Sequence, residues 1–201
     1  GGKMTVIVAV DSPVAKLAAA SFGLVDGKGK MVAVWDADAK DLSTDPIVSA
    51  STVAPGVYRV RVAAAAADDG RLGAVDYEFN AISARAGPLS FGGLMLGQLK
   101  DKSFLPRIDF ESETSATAYV EVYGTLPAGQ TATVTIEIAP TADGRAIGSL
   151  PAAITPTRDK DRWVATAEIP LATLPPGEHV VRAIAKVGNA SGTLVRTLRK
   201  R

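Results

Sequence analysis

In Thr133-Val134-Thr135-Ile136-Glu137-Ile138, branched aliphatic side chains alternate with polar ones. Alternation at period two puts Val134, Ile136 and Ile138 on one face of a pleated strand. Thr133, Thr135 and Glu137 take the other, the pattern of a sheet with one dry and one wet side. The same period runs through Tyr58-Arg59-Val60-Arg61-Val62 and through Tyr119 to Tyr123 about Glu121. It returns in Trp163, Ala165, Ala167 and Ile169, with Thr166 and Glu168 opposite, and Thr5 to Val10 is a β-branched run. Turn signals punctuate these runs: Asp26-Gly27, Lys28-Gly29, Pro55-Gly56, Asp69-Gly70, Pro127-Ala128-Gly129, Asp143-Gly144, Pro176-Gly177 and Ser191-Gly192. Short strands between such turns predict an all-β chain of antiparallel hairpins, folded as immunoglobulin/fibronectin-III-like sandwiches and not as βαβ units. Of two alanine-rich stretches, Ala63 to Ala67 continues an alternating strand, while Val14 to Ala20 suits either a short helix or a strand.

An internal repeat sets the domain count. Val53-Ala54-Pro55-Gly56-Val57-Tyr58-Arg59-Val60-Arg61 recurs as Leu174-Pro175-Pro176-Gly177-Glu178-His179-Val180-Val181-Arg182, an offset of 176 − 55 = 121 residues. Each copy is followed by a glycine (Gly70, Gly192) read as a turn and by a last strand, Ala74 to Phe79 or Thr193 to Leu198. A repeat this long means two similar domains in tandem, not a solenoid. The boundary is expected in Ala84-Arg85-Ala86-Gly87-Pro88, giving domains 1–86 and 87–201. The apolar, glycine-interrupted stretch Leu89 to Leu96 is expected to pack against the first domain.

Composition narrows the function classes. The chain has 201 residues, 22 basic against 21 acidic, for a net charge of +1. No field of one sign steers it to nucleic acid or anionic lipid, so no nucleic-acid partner is expected. The basic cluster Arg196, Arg199, Lys200 and Arg201 reads as a solvated, frayed tail. With no cysteine, disulfides, thiolate metal sites and cysteine nucleophiles are excluded. No apolar run approaches the ~18 residues of a membrane span, so no membrane insertion is expected. The start shows no charged-apolar-small leader pattern, but Gly1-Gly2 reads as a cloning scar, so the lack of a leader or upstream domain is uninformative.

Several residues invite a chemical role. Tyr58, two residues after Pro55-Gly56, is placed to enter the core with its hydroxyl returning to the backbone, as in the tyrosine corner of sandwiches. His179, the single histidine, occupies the repeat position of Tyr58 and so reads as its structural replacement, not as a base or a ligand. Asp36, Asp38 and Asp41, with Asp45 beyond, form the richest acidic cluster. They lack the glycine and final glutamate of an EF-hand loop, and a weak cation site there stays open. Asp68-Asp69 with Asp76, and Asp143 alone, are thinner still. Gly27-Lys28-Gly29-Lys30 lacks phosphate-loop spacing and reads as a hairpin turn. Asp11-Ser12-Pro13 is no nucleophile motif. Trp163 is in phase with the core; Trp35 is out of phase with Val32 and Val34, which would bring it nearer the surface, but both read first as core.

The stretch Gly56 to Phe79 (GVYRVRVAAAAADDGRLGAVDYEF), Gly87 to Leu96 (GPLSFGGLML), Tyr119 to Tyr123 and Leu174 to Lys200 (LPPGEHVVRAIAKVGNASGTLVRTLRK) together resemble the carboxy-terminal tail of bacterial VWFA-related proteins. The resemblance implies an extracytoplasmic piece of a longer protein with an upstream von Willebrand factor type A domain. That domain's Asp-x-Ser-x-Ser motif is missing, since Asp11-Ser12-Pro13-Val14-Ala15 fails at the third and fifth positions. No functional residue is carried over.

The sequence therefore points to a non-catalytic module, a spacer or protein-interaction tail with an unidentified protein or glycan partner and no cofactor. A carbohydrate-binding module is the alternative and needs Trp35, or Tyr119 with Tyr123, as an open aromatic platform. A glycosidase would need two carboxylates about 5–9 Å apart, for which Glu111 with Glu113, on one face by alternation, or Glu121 with Glu137 are the candidates. Oligomeric state is not written in the sequence.

Overall fold

The computed structural model describes residues 2–12, 16–44, 46–100 and 103–201. Those residues form strands and two 3₁₀ turns, with no α-helix, and divide into two units, Gly1–Ile82 and Ser83–Arg201.

The first unit holds β1 (Met4–Val10), β2 (Leu17–Asp26), β3 (Met31–Asp36), β4 (Ile47–Val53), β5 (Gly56–Ala66) and β6 (Leu72–Ala81). β1 pairs antiparallel with β4 over its whole length, from Met4 opposite Val53 to Val10 opposite Ile47. The other four strands form a sheet in the order β3-β2-β5-β6. Between the two sheets lie Phe22, Leu24, Ile47, Val53, Tyr58, Val60 and Val62, all buried. Met4, Val6, Val8 and Val10 pack on them half-buried, while Thr5, Ile7 and Ala9 face out. The period-two reading of β5 holds, with Tyr58, Val60 and Val62 inward and Arg59 and Arg61 outward. From Leu17 onward the ambiguous alanine stretch is strand; Val14 and Ala15 lie outside the described residues.

The second unit holds β7 (Ala84–Ala86), β8 (Leu89–Phe91), β9 (Met95–Lys100), β10 (Ser103–Pro106), β11 (Asp109–Phe110) and β12 (Ser115–Tyr123). It continues with β13 (Ala132–Ala139), β14 (Gly148–Pro151), β15 (Ala153–Pro156), β16 (Arg162–Pro170), β17 (Gly177–Val187) and β18 (Ala190–Lys200). One sheet runs β10-β9-β12-β16-β15, with β8 joined to β12 and β7 to β8. The facing sheet runs β11-β18-β17-β13-β14, β11 being parallel to β18. β14 and β15 are separated only by Ala152, so the chain changes sheets at that corner. Two sheets in this order, antiparallel apart from β11–β18 and joined by such crossovers, make an immunoglobulin-like sandwich. Val134, Ile136 and Ile138 are buried against Val120, Val122, Ala165 and Ile169 from the facing sheet.

Pairing shows which strands correspond. β5-β6 matches β17-β18, β2-β3 matches β13-β14, and β1-β4 matches β12-β16. The first unit lacks counterparts of β9, β11 and β15 among the described residues.

Three expectations need correction. The division falls at Ile82–Ser83 and not after Ala86, because Ala84–Ala86 pairs with Leu89–Phe91. Leu89, Phe91, Leu94 and Leu96 are buried in the second unit's own core, their apolar side chains filling its first sheet. Ser191-Gly192 is no turn: β17 and β18 close at Val187 opposite Ala190, and Gly192 lies within β18. A side chain there would meet the Arg85 carbonyl oxygen at 2.6 Å, so the glycine admits a close backbone approach.

Candidate functional site

The repeated Pro-Gly step builds the same corner twice. The Tyr58 hydroxyl donates to the carbonyl of Ala54 at 2.8 Å, and His179 Nε2–H donates to the carbonyl of Pro175 at 2.8 Å. Each ring is buried and each bond spans four residues. The histidine is therefore committed to the backbone on one nitrogen, and its buried Nδ1 has no hydrogen-bond partner. Among the described residues it belongs to no group of three or more histidine or acidic side chains that could hold a metal.

The most concentrated polar chemistry lies on the outer face of β12. Alternation that buries Val120 and Val122 sends Tyr119, Glu121 and Tyr123 the other way. Glu121 accepts hydrogen bonds from the Arg162 guanidinium and the Tyr123 hydroxyl, with Tyr119 at 3.5 Å. Register places Arg162 there, since β16 sets it opposite Tyr123. Burial, the hydrogen bond to Glu121 and that carboxylate's charge together push Tyr123 up to about 12. Tyr119 is also raised, mainly by burial, and its ring packs tilted on Phe104 at 5.1 Å. Such a network is closed, because its carboxylate is spent on an arginine and a phenol and neither is poised to exchange protons near neutral pH.

The paired-carboxylate candidates do not meet. Glu121 projects from the first sheet of the second unit and Glu137 from the facing sheet, each between buried neighbours, so they leave opposite sides of the sandwich. Glu137 is held by Arg182 at 2.8 Å. Glu111 and Glu113 follow β11, which ends at Phe110, so strand alternation does not apply to them. Instead Glu113 accepts the Glu111 backbone N–H at 2.7 Å and pairs with Arg107 at 2.5 Å. Burial pulls the Glu113 carboxyl up, but backbone N–H bonds and Arg107 together hold it below the ordinary range.

Most of these aspartates serve turns, strand contacts or ion pairs. Asp38 accepts the Asp41 backbone N–H at 2.8 Å at the start of the 3₁₀ turn Asp41–Ser43, and Asp36 accepts the Ser21 hydroxyl. Asp45 lies outside the described residues. Asp69 pairs with Arg71 and Asp76 with Arg61, while Asp68 accepts the Asp69 backbone N–H. Asp143 is exposed in the loop after β13. Asp26 accepts N–H groups of Lys28 and Lys30, closing the β2–β3 hairpin over the Gly27 to Lys30 run. Among the described residues no three acidic or histidine side chains gather as a metal ligand set.

The core reading of Trp35 holds, and the reading of the basic tail is overturned. Trp35 is in phase with the core: it stacks on Phe22 at 5.2 Å and donates to Ser49 Oγ at 2.8 Å, while Val32 and Val34 face out. Trp163 is half-buried against the second core, as its phase predicts. The basic tail is not frayed. Arg199 holds Asp109 and Glu178, Arg201 lies near Asp109 and Glu111, and Lys200 Nζ donates to the carbonyls of Leu171 and Leu174 at 2.7 and 2.6 Å. The tail is pinned because β18 runs through Lys200, flanked by β17 and by β11.

What the sequence could not show is incomplete cover in the first unit. Val75 and Tyr77 stand opposite Val62 and Val60 on the core-facing side of β6, yet each is 59% exposed. A four-stranded sheet faces a two-stranded one, so among the described residues no strand lies across from the outer strand. Alternation marks these side chains as inward-facing, but coverage depends on how many strands lie opposite, which no local pattern records.

No family model matches the chain, and no curated protein matches it. Among solved structures, an ICAM-5 D1–D4 ectodomain fragment is 15% identical at a TM-score of 0.38, covering 100% of this chain and 50% of that one. The chain thus spans about half the length of that fragment. The fibronectin(III)-like modules of CbhA from Clostridium thermocellum are 14% identical at a TM-score of 0.29, with 98% of this chain and 84% of theirs covered. A DUF3823 family protein from Bacteroides ovatus is 10% identical at 0.38, with 98% and 99% covered. Likeness of this degree carries no argument about function, and the fold class stands on the strand order and pairing described above. No helix among the described residues is long and apolar enough to cross a membrane.

Proposed function

We propose that this chain is a non-catalytic β-sandwich module of a larger exported bacterial protein, acting as a spacer or protein-interaction tail in the manner its resemblance to VWFA-related tails implies. The observation that supports it is the pair Val75 and Tyr77, apolar, core-facing and 59% exposed on an outer strand. Exposed apolar side chains gathered in this way suit recognition of another protein. Replacing both with serine tests it. Because neither is buried, the double variant keeps its melting temperature within about 2 °C, as surface changes do, while apolar dye binding falls. A loss of several kcal/mol, the cost of core truncation, sinks the reading, since these side chains would then belong to a closed core.

A carbohydrate-binding face is the second reading. It rests on Tyr123, 39% exposed on the same β12 face as the Phe104–Tyr119 pair. Oligosaccharide binding by the wild type and its loss in Tyr123→Ala support it; a wild type that binds none removes it.

A further inference from the structure

Among the described residues, β1 is an edge strand with no strand on its far side. Met4-Thr5-Val6-Ile7-Val8-Ala9-Val10 carries no charge and no proline, and it pairs with β4 on one side only. Natural sheets guard such edges with lysine, proline, bulges or cover. The second unit shows what cover looks like on the matching strand. The far edge of β12 is taken by β9, with Thr117 opposite Gly97 and Tyr119 opposite Met95, and by β8, with Val122 opposite Phe91, both antiparallel. No strand among the described residues does this for β1.

We propose that β1 pairs antiparallel with β1 of a second copy of this chain, about a two-fold axis midway between the two Ile7 residues. Two copies of one strand meet antiparallel by symmetry. The strand has seven residues, so the axis at its middle sets Ile7 against Ile7, Val6 against Val8, Thr5 against Ala9 and Met4 against Val10. Every such pair is uncharged, and all but Thr5–Ala9 are wholly aliphatic or thioether. The inward row Met4, Val6, Val8, Val10, half-buried in one copy, runs on into the same row of the other. The sheet becomes β4-β1-β1-β4.

β3, β4 and β6 are edges of the first unit as well, and at β6 self-pairing is disfavoured by charge. On β6, registers centred on Asp76 or Tyr77 oppose Asp76 to itself or to Glu78. Like charges directly opposite are destabilising.

This inference deepens the interaction reading, and its test is separate. The full chain is followed by sedimentation equilibrium over a wide concentration range, as wild type, Ile7→Lys and Ile7→Cys. The wild type dimerises with a dissociation constant in roughly the micromolar range expected of a small interface. Ile7→Lys weakens the dimer at least tenfold and, at a concentration where both proteins are monomeric, leaves the melting temperature unchanged, since Ile7 faces out and is 43% exposed in the single copy. The chain has no cysteine of its own, and residues opposed across an antiparallel pair lie about 4.5–5.5 Å apart at Cα, within disulfide reach. On mild oxidation Ile7→Cys therefore forms a covalent dimer faster than Val34→Cys, which is 67% exposed on β3.

A monomer at every concentration, a dimer indifferent to Ile7→Lys, or equal cross-linking by the two cysteine variants overturns the proposal. The Val75 and Tyr77 serine variant leaves β1 untouched. A monomeric wild type therefore sinks this pairing alone, and failure of the serine experiment sinks the wider reading alone.

Discussion

Replacing Tyr58 with phenylalanine takes one hydroxyl from the corner and leaves its ring stacked on Phe79 at 5.8 Å. What is lost is the 2.8 Å bond to the Ala54 carbonyl. A bond of this kind contributes about 1 kcal/mol net, and Ala54 is exposed, so its carbonyl turns to water instead of standing bare. The expected cost is about 1 kcal/mol. For a unit of this size that is roughly 4–8 °C in melting temperature, or roughly 0.5–1 M in the urea midpoint.

His179→Phe is the control. It removes the equivalent bond, but it also removes Nδ1, which is buried without a partner and carries its own desolvation cost of about 1–3 kcal/mol. The two effects offset, so His179→Phe is expected to cost less than Tyr58→Phe or nothing. Urea unfolding followed by tryptophan fluorescence separates the units, because Trp35 lies in the first and Trp163 in the second. Single-tryptophan backgrounds isolate each transition. A neutral Tyr58→Phe, or a His179→Phe that is the more damaging of the two, refutes the reasoning.

Two further outcomes follow from the same geometry. Folding holds the Tyr123 proton up to about 12, whereas the unfolded chain releases it near 10.0, so this contribution is intact below 10.0 and is lost as pH rises through about 12. Unfolding free energies measured across that window fall less steeply in Tyr123→Phe than in the wild type; equal slopes contradict the network. Lys200→Met leaves the Leu171 and Leu174 carbonyls without their charged donor and should cost the second unit about 1–2 kcal/mol by urea titration, whereas a frayed tail predicts no change.

Alternation carried most of the fold. Ile136 and Val134, or Val60 and Tyr58, are buried where a period of two puts them, and the shared Pro-Gly step gave the paired corners before any contact was known. Trp35 sits beside Val32 and Val34, equally apolar, so the phase of β3 is decided by Phe22 and Ser49 on other strands. The misreadings have local causes. Glu111 and Glu113 have strand-like spacing, but the chain turns after Phe110, where β11 ends beside Lys200, and the two glutamates serve a loop. Arg199 and Lys200 read as a solvated end because their partners, Asp109, Glu178 and two carbonyls near Leu171, are remote in sequence. The candidate surface was the least legible part, since Val75 and Tyr77 share the alternation of core residues but have no strand across from them among the described residues.

Amide hydrogen exchange on the intact chain, at a concentration low enough to keep it monomeric, bears most directly on a closed second sandwich beside a first one left partly open. Central strands β2, β5, β12, β13, β16 and β17 should exchange slowly, and in the first unit β1 and β6 should exchange far faster than β2 and β5. Protection of Leu72–Ala81 as strong as that of β5 would mean the outer strand is covered on its far edge and inner face, and the account of an unfinished sandwich would be wrong.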